Sequence, residues 1–210
     1  MGDRREALAL GIGNVLWADE GFGVRAVEAL NEAYAFSADV SVVDGGTQGL
    51  YLFDLIASAR RVLVFDAIDF SLAPGTLAVF RDGDVPAWGA GKMSPHQTGF
   101  SDVLALAALR GEAPEKITLV GVQPQELTDL GGSLTDTVKA RVAEAVEIGA
   151  RELAFWGFPG QRRNAGASAA ALNAAALALD RYERDRPAAA DACRIGDPRV
   201  LARRAPSGSG

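Results

Sequence analysis

A chain of 210 residues is long enough for one domain with a full core and some surplus. It is 49% apolar and 23% charged, an ordinary balance for a soluble globular protein, and its net charge of −6 disfavours nucleic acid or an anionic membrane as partner. Met1–Arg5 is polar, the apolar run Ala7–Ile12 is too short for a secretory signal, and the alanine-dominated stretch Asn164–Leu179 falls short of a membrane span. A soluble cytoplasmic protein without membrane insertion is expected.

Short apolar runs alternate with longer amphipathic segments, the pattern of a sheet covered by helices. Ala7–Ile12 reads as a first strand stopped by the glycines of GIGN, and Glu20–Tyr34 as a helix with Val24, Val27, Ala29 and Leu30 near helical spacing. Val40–Val43 is a second strand ended by Asp44-Gly45-Gly46, and Leu50–Arg60 a second helix. Arg61–Phe65 (RVLVF) is a third strand whose unbroken apolar character predicts burial on both faces. Thr76–Arg81 follows as a fourth strand, Phe100–Leu109 as a helix, Ile117–Gln123 as a fifth strand and Thr135–Gly149 as a long helix. Composition changes after Trp156. Residues 1–157 form the working domain, and residues 158–210 a linker (FPGQRRN), an alanine-rich segment Ala165–Asp180 of helical composition, and a Pro-, Ala-, Arg- and Ser-rich tail expected to be disordered from Pro187.

Ligands of such sheets bind at the carboxyl ends of the strands. The first strand leads there into Asn14–Glu20, the second ends in Asp44, the third in Asp66 and the fifth in Gln123, while the loop Lys92–Gly99 (KMSPHQTG) holds the sole histidine, His96. Any chemistry that needs an imidazole must use His96; otherwise it is an inert loop residue. Asp66 follows four apolar residues, where a carboxylate is costly unless bonded or metal-bound, or else it caps the next turn. Glu20 is either a ligand or a first-turn acid favoured by the helix dipole. Two carboxylates and one imidazole would make an oxygen–nitrogen site suited to Ni, Zn, Co or Fe, with positions left open. H-E-x-x-H, G-x-S-x-G and Walker A patterns are absent, and the single cysteine, Cys193, lies far from His96. Gly11-x-Gly13 begins a dinucleotide fingerprint, but Leu16 stands where its third glycine belongs. Metal-associated hydrolysis is the simplest chemistry these residues support.

The stretches GIGNVLWADEGFGVRAVEAL (11–30), DGGTQGLYL (44–52), VLVFDAIDF (62–70), PGTLAVFRDGDVPA (74–87), KMSPHQTGFSDVLALAAL (92–109) and ITLVGVQPQEL (117–127) point to something more specific. In this order they resemble the [NiFe]-hydrogenase maturation proteases, and DGGTQGLYL and HQTGF most resemble the branch serving membrane-bound uptake hydrogenases. The resemblance covers residues 6–157 and leaves the rest outside it. It implies a three-layer α/β/α fold of the phosphorylase/hydrolase-like kind, with a five-stranded, twisted, mostly parallel sheet. It also implies an aspartyl-type endopeptidase that removes the C-terminal extension of the nickel-loaded large-subunit precursor. Glu20, Asp66 and His96 would then be the metal-binding residues and Asp44 a supporting carboxylate. The nickel would come with the precursor, and no organic cofactor is expected. A non-proteolytic accessory protein that checks the precursor's metal, or an independent zinc-type metallohydrolase, are the alternatives.

Overall fold

The computed structural model describes residues 5–85, 95–164, 166, 167 and 169–186, the side chains of 95–99 excepted. The first half of the chain forms β1 (Arg5–Ile12), α1 (Phe22–Ala33), a short β2 (Tyr34–Ala35), β3 (Val40–Gly46), α2 (Phe53–Ala57), β4 (Ala59–Ala67) and β5 (Leu77–Arg81). There follow α3 (Pro95–Leu109), β6 (Lys116–Val122), α4 (Asp136–Lys139), α5 (Val142–Phe155), a short β7 (Gln161–Arg162) and α6 (Leu179–Asp185).

Five strands make the main sheet in the order β3-β1-β4-β6-β5. The first four run parallel, and β5 closes the edge antiparallel to β6. Alternation along the central strands splits the core into two layers, as the period of two requires. Ala7, Ala9, Leu63 and Phe65 face a cluster completed by α1 and α5, whereas Leu8, Leu10, Val62 and Val64 face one completed by α2 and α3. The expected α/β architecture, with β4 buried on both faces, is the observed one. Each fully buried Leu or Phe in these layers contributes about 1.5–3 kcal/mol over its exposed state.

Some boundaries differ from expectation. Leu50–Arg60 is not one helix: a 3₁₀ turn (Gly49–Leu52) leads into α2, and β4 already starts at Ala59. The strand ladder claims this stretch, because the Arg5 N–H donates to the Ser58 carbonyl (2.7 Å) and the Glu115 N–H to the Arg60 carbonyl (2.7 Å). Thr135–Gly149 is carried as α4 and α5, with Thr135 as the N-cap of α4. The helix expected from Phe100 begins at Pro95, placing His96 in its first turn and not in a loop. Proline is favoured at a first helical position, where its missing N–H costs nothing.

The alanine-rich segment Ala165–Asp180 is not a helix. Apart from a 3₁₀ turn at Ala175–Leu177 and the start of α6, its described residues form an irregular strap laid along α1. β7 pairs with β2 at the carboxyl end of α1, and the Arg163 N–H donates to the Ala33 carbonyl (2.9 Å). The Asn31 amide then donates to the Ala170 carbonyl (2.8 Å), and the Arg25 guanidinium to the Leu177 carbonyl (2.6 Å). Side chains of α1 thus satisfy carbonyls that a helix would have paired internally, which overrides alanine's helical propensity. The expected tail from Pro187 and Cys193 lie outside the described residues, within which no helix is long and apolar enough to cross a membrane.

Candidate active site

Three glycines determine how the turn after β1 meets the sheet. A Cβ on Gly11 would lie 2.3 Å from the Gly23 carbonyl oxygen, and one on Gly13 1.9 Å from that of Glu20. A Cβ on Gly23 would lie 2.1 Å from the Phe65 carbonyl oxygen and 2.2 Å from that of Ile12. Only bare backbone fits, so the 3₁₀ turn Ala18–Gly21 and the start of α1 press directly on the ends of β1 and β4. Glu20 is three residues upstream of that contact, and Asp66 directly follows the residue contacted. Ala18 enters the turn with φ at 43°, a left-handed conformation that costs a non-glycine residue on the order of 1 kcal/mol.

Asp66 is fully buried, and its Oδ1 accepts the Ala67 N–H (2.8 Å). Glu20 is half-buried. Asp44 lies on β3 opposite Gly11, immediately before a bulge where Ile12 pairs with Gly46. Its Oδ1 accepts the Gly46 N–H (2.9 Å) and its Oδ2 the Asn173 amide (3.2 Å). Glu20, Asp44 and Asp66 therefore all occupy the carboxyl-end edge of the parallel strands. α3 feeds β6 from its far end and packs on the turn Gly49–Leu52, which puts its first turn toward that same edge. The His96 side chain lies outside the described residues. Among the described residues no group of three His, Cys, Asp or Glu side chains is placed to hold a metal.

The sequence reading missed Asp19. It is fully buried, and its Oδ2 accepts the N–H groups of Gln125 (2.8 Å) and Glu126 (2.9 Å) and the Thr135 hydroxyl (3.1 Å). Its Oδ1 accepts the Thr135 N–H (2.7 Å), and its own N–H donates to the Glu126 carbonyl (3.1 Å). Charge-assisted bonds on both oxygens offset the cost of burying the carboxylate and tie the loop 125–135 to the turn that carries Glu20. In that loop, the hydroxyl and N–H of Thr128 hold the Glu126 carboxyl below the usual carboxylate range.

Large exposed apolar side chains gather around this edge. Leu16 follows β1, Leu50 and the 87%-exposed Tyr51 follow β3, Leu72 follows β4, and Leu130 lies beside Leu16. Among the described residues only Leu109 and Phe155 are comparable elsewhere. An apolar rim around buried carboxylates suits a protein substrate better than a small polar one.

The model of the family described as hydrogenase maturation protease matches residues 24–152. The chain belongs to that family. The maturation protease is 55% identical over 196 residues to the hydrogenase expression/formation protein HoxM of Cupriavidus necator, covering 92% of this chain and 97% of the relative. It is 53% identical over 196 residues to HupD of Rhodobacter capsulatus, covering 92% of each. Among solved structures, the hydrogenase maturating endopeptidase HybD from E. coli superposes with a TM-score of 0.72 at 42% identity, covering 75% of this chain and 98% of that one. The protease is thus a peptidase of hydrogenase maturation with the sheet architecture of HybD. A contiguous match over 92% of the chain includes the strap at 163–186 wherever it begins, so the likeness does not stop at residue 157. The HybD match leaves a quarter of this chain without a counterpart.

Proposed function

We propose that the protease removes the C-terminal extension of a nickel-loaded [NiFe]-hydrogenase large-subunit precursor in the cytoplasm, and that the precursor's nickel is what it recognises. The observation that carries this is the contact of Gly23 with the Phe65 carbonyl, which brings the turn of Glu20 to the strand end of Asp66. Glu20, Asp66 and His96 would supply an oxygen–nitrogen donor set to the nickel, leaving its remaining positions to the precursor. That coordination docks the neighbouring scissile peptide against the apolar rim. Water then adds to the scissile carbonyl carbon, the C–N bond breaks, and the leaving amine takes up a proton. A nickel so placed polarises the carbonyl or activates the water. Asp44 stands at the end of β3, across β1 from Asp66, as the supporting carboxylate, in keeping with aspartyl-type chemistry. A site of three ligands with its metal brought by the substrate binds free nickel weakly.

The test is incubation of the purified protease with nickel-loaded and nickel-free precursor. Cleavage of the loaded form alone is expected. Binding without cleavage would instead indicate an accessory protein that checks the metal, and cleavage indifferent to nickel an independent metallohydrolase.

A further inference from the structure

The strap reaches the candidate site. Asn31, Glu28 and Arg25 are spaced by three residues on α1 and so share one face of the helix. The strap runs down that face from the far end of α1 toward the site: Ala170 is held by Asn31, Asn173 by Glu28 and Leu177 by Arg25. Arg25 is 4% exposed; it pairs with Glu28 (2.9 Å), and its guanidinium carbon lies 5.8 Å from the centre of the Tyr182 ring. Beyond Tyr182, Glu183 of α6 accepts bonds from Ser133 (2.8 Å) and from Lys139 (2.6 Å), in and beside the loop that Asp19 anchors. At the middle of this path the Asn173 amide donates to both Glu28 and Asp44, the latter at 3.2 Å. Asp44 is held on one oxygen by its own bulge and on the other by the strap.

We propose that Asn173 is a positioning residue for cleavage: the strap exists to fix the Asp44 carboxylate at the strand ends, and Glu28 aims the amide that does so. This role rests on the proposed function, in which Asp44 supports the site. The amide donates one hydrogen to each acid, bridging two carboxylates whose other oxygens are held by Arg25 and by the Gly46 N–H.

The experiment is a double-mutant cycle on cleavage of nickel-loaded precursor by the full chain, with kcat and KM separated. Asn173→Ala is expected to lower kcat about tenfold with little change in KM, because a group acting through Asp44 alters turnover more than docking. Asp44→Asn combined with Asn173→Ala should be no slower than Asp44→Asn alone. Lys139→Met, which loosens the strap at α6 without touching Asn173, should keep the wild-type kcat. Losses that multiply in the double variant, wild-type kcat in Asn173→Ala, or an equal fall in Lys139→Met would each overturn the positioning role. If Asn173→Ala does not fold, Asn173→Ser goes through the same cycle with the same criteria. A wild type that binds but never cuts the loaded precursor overturns the proposed function itself, which separates the two failures.

Discussion

Gly23 rests on the carbonyl of Phe65 so closely that a Cβ would stand 2.1 Å from its oxygen. The helix that follows the first strand is therefore seated by backbone alone, and the acid-bearing turn before it is seated with it. Gly23→Ala must push α1 off both β1 and β4. Overpacking of this kind costs about 1–3 kcal/mol or more, and here it also displaces Glu20 from Asp66. We expect a lower unfolding midpoint in urea together with a fall in precursor cleavage larger than the stability loss explains. A variant of wild-type activity would show that the close seating does not set the site.

Asp19 predicts a different kind of failure. Asp19→Ala strands three backbone N–H groups, those of Gln125, Glu126 and Thr135, without the acceptor they have now. These donors are only partly buried, so losing their acceptor should cost about 1–3 kcal/mol in all. Urea denaturation measures this directly, and hydrogen exchange should show the loop 125–135 opening first. Asp19→Asn keeps one acceptor oxygen but turns an NH₂ toward the donors, so it should lose a large part of the same stability.

The strap carries a pH dependence through Glu183. Burial alone would raise its carboxyl, but hydrogen bonds from Lys139 and Ser133 outweigh that and hold it below the usual glutamate range. A group depressed in the folded state contributes stability that is complete above its unfolded pKa and is lost as pH falls through the folded value. Amides of α6 should accordingly lose protection, measured against their intrinsic exchange rates at each pH, as the solution is acidified through and below the usual carboxylate range, while β1 and β4 stay protected. Lys139→Met should reduce that acid sensitivity. An α6 equally protected on both sides of the range would show that the pair does not hold the strap.

How much of this was legible in the sequence depends on how local the cause is. RVLVF marked a strand buried on both faces because the four residues after Arg61 are all apolar, and the alternation of such runs with amphipathic segments marked a helix-covered sheet, while its mostly parallel order came with the family resemblance. Asp44 and Asp66 could be picked because a carboxylate ending an apolar run is conspicuous. Asp19 could not, since the Thr135 it binds is 116 residues away and an acid before a helix has an ordinary local explanation. The strap misled for a related reason. Alanine favours a helix when its backbone must pair with itself, but Asn31 and Arg25, far off in sequence, offer its carbonyls another partner. The start of α3 at Pro95 was marked by the proline, yet the polar run around it read as a loop.

The central claim, that cleavage depends on a nickel held by Glu20, Asp66 and His96, is tested most directly through the histidine. His96 is the chain's sole imidazole, so no other residue can take over its role as a nitrogen ligand. The measurement is the rate at which His96→Ala, with its fold checked by circular dichroism, cleaves nickel-loaded precursor beside the wild type. Loss of processing by at least about a hundredfold, with the fold retained, is the predicted result. Processing at the wild-type rate would contradict it.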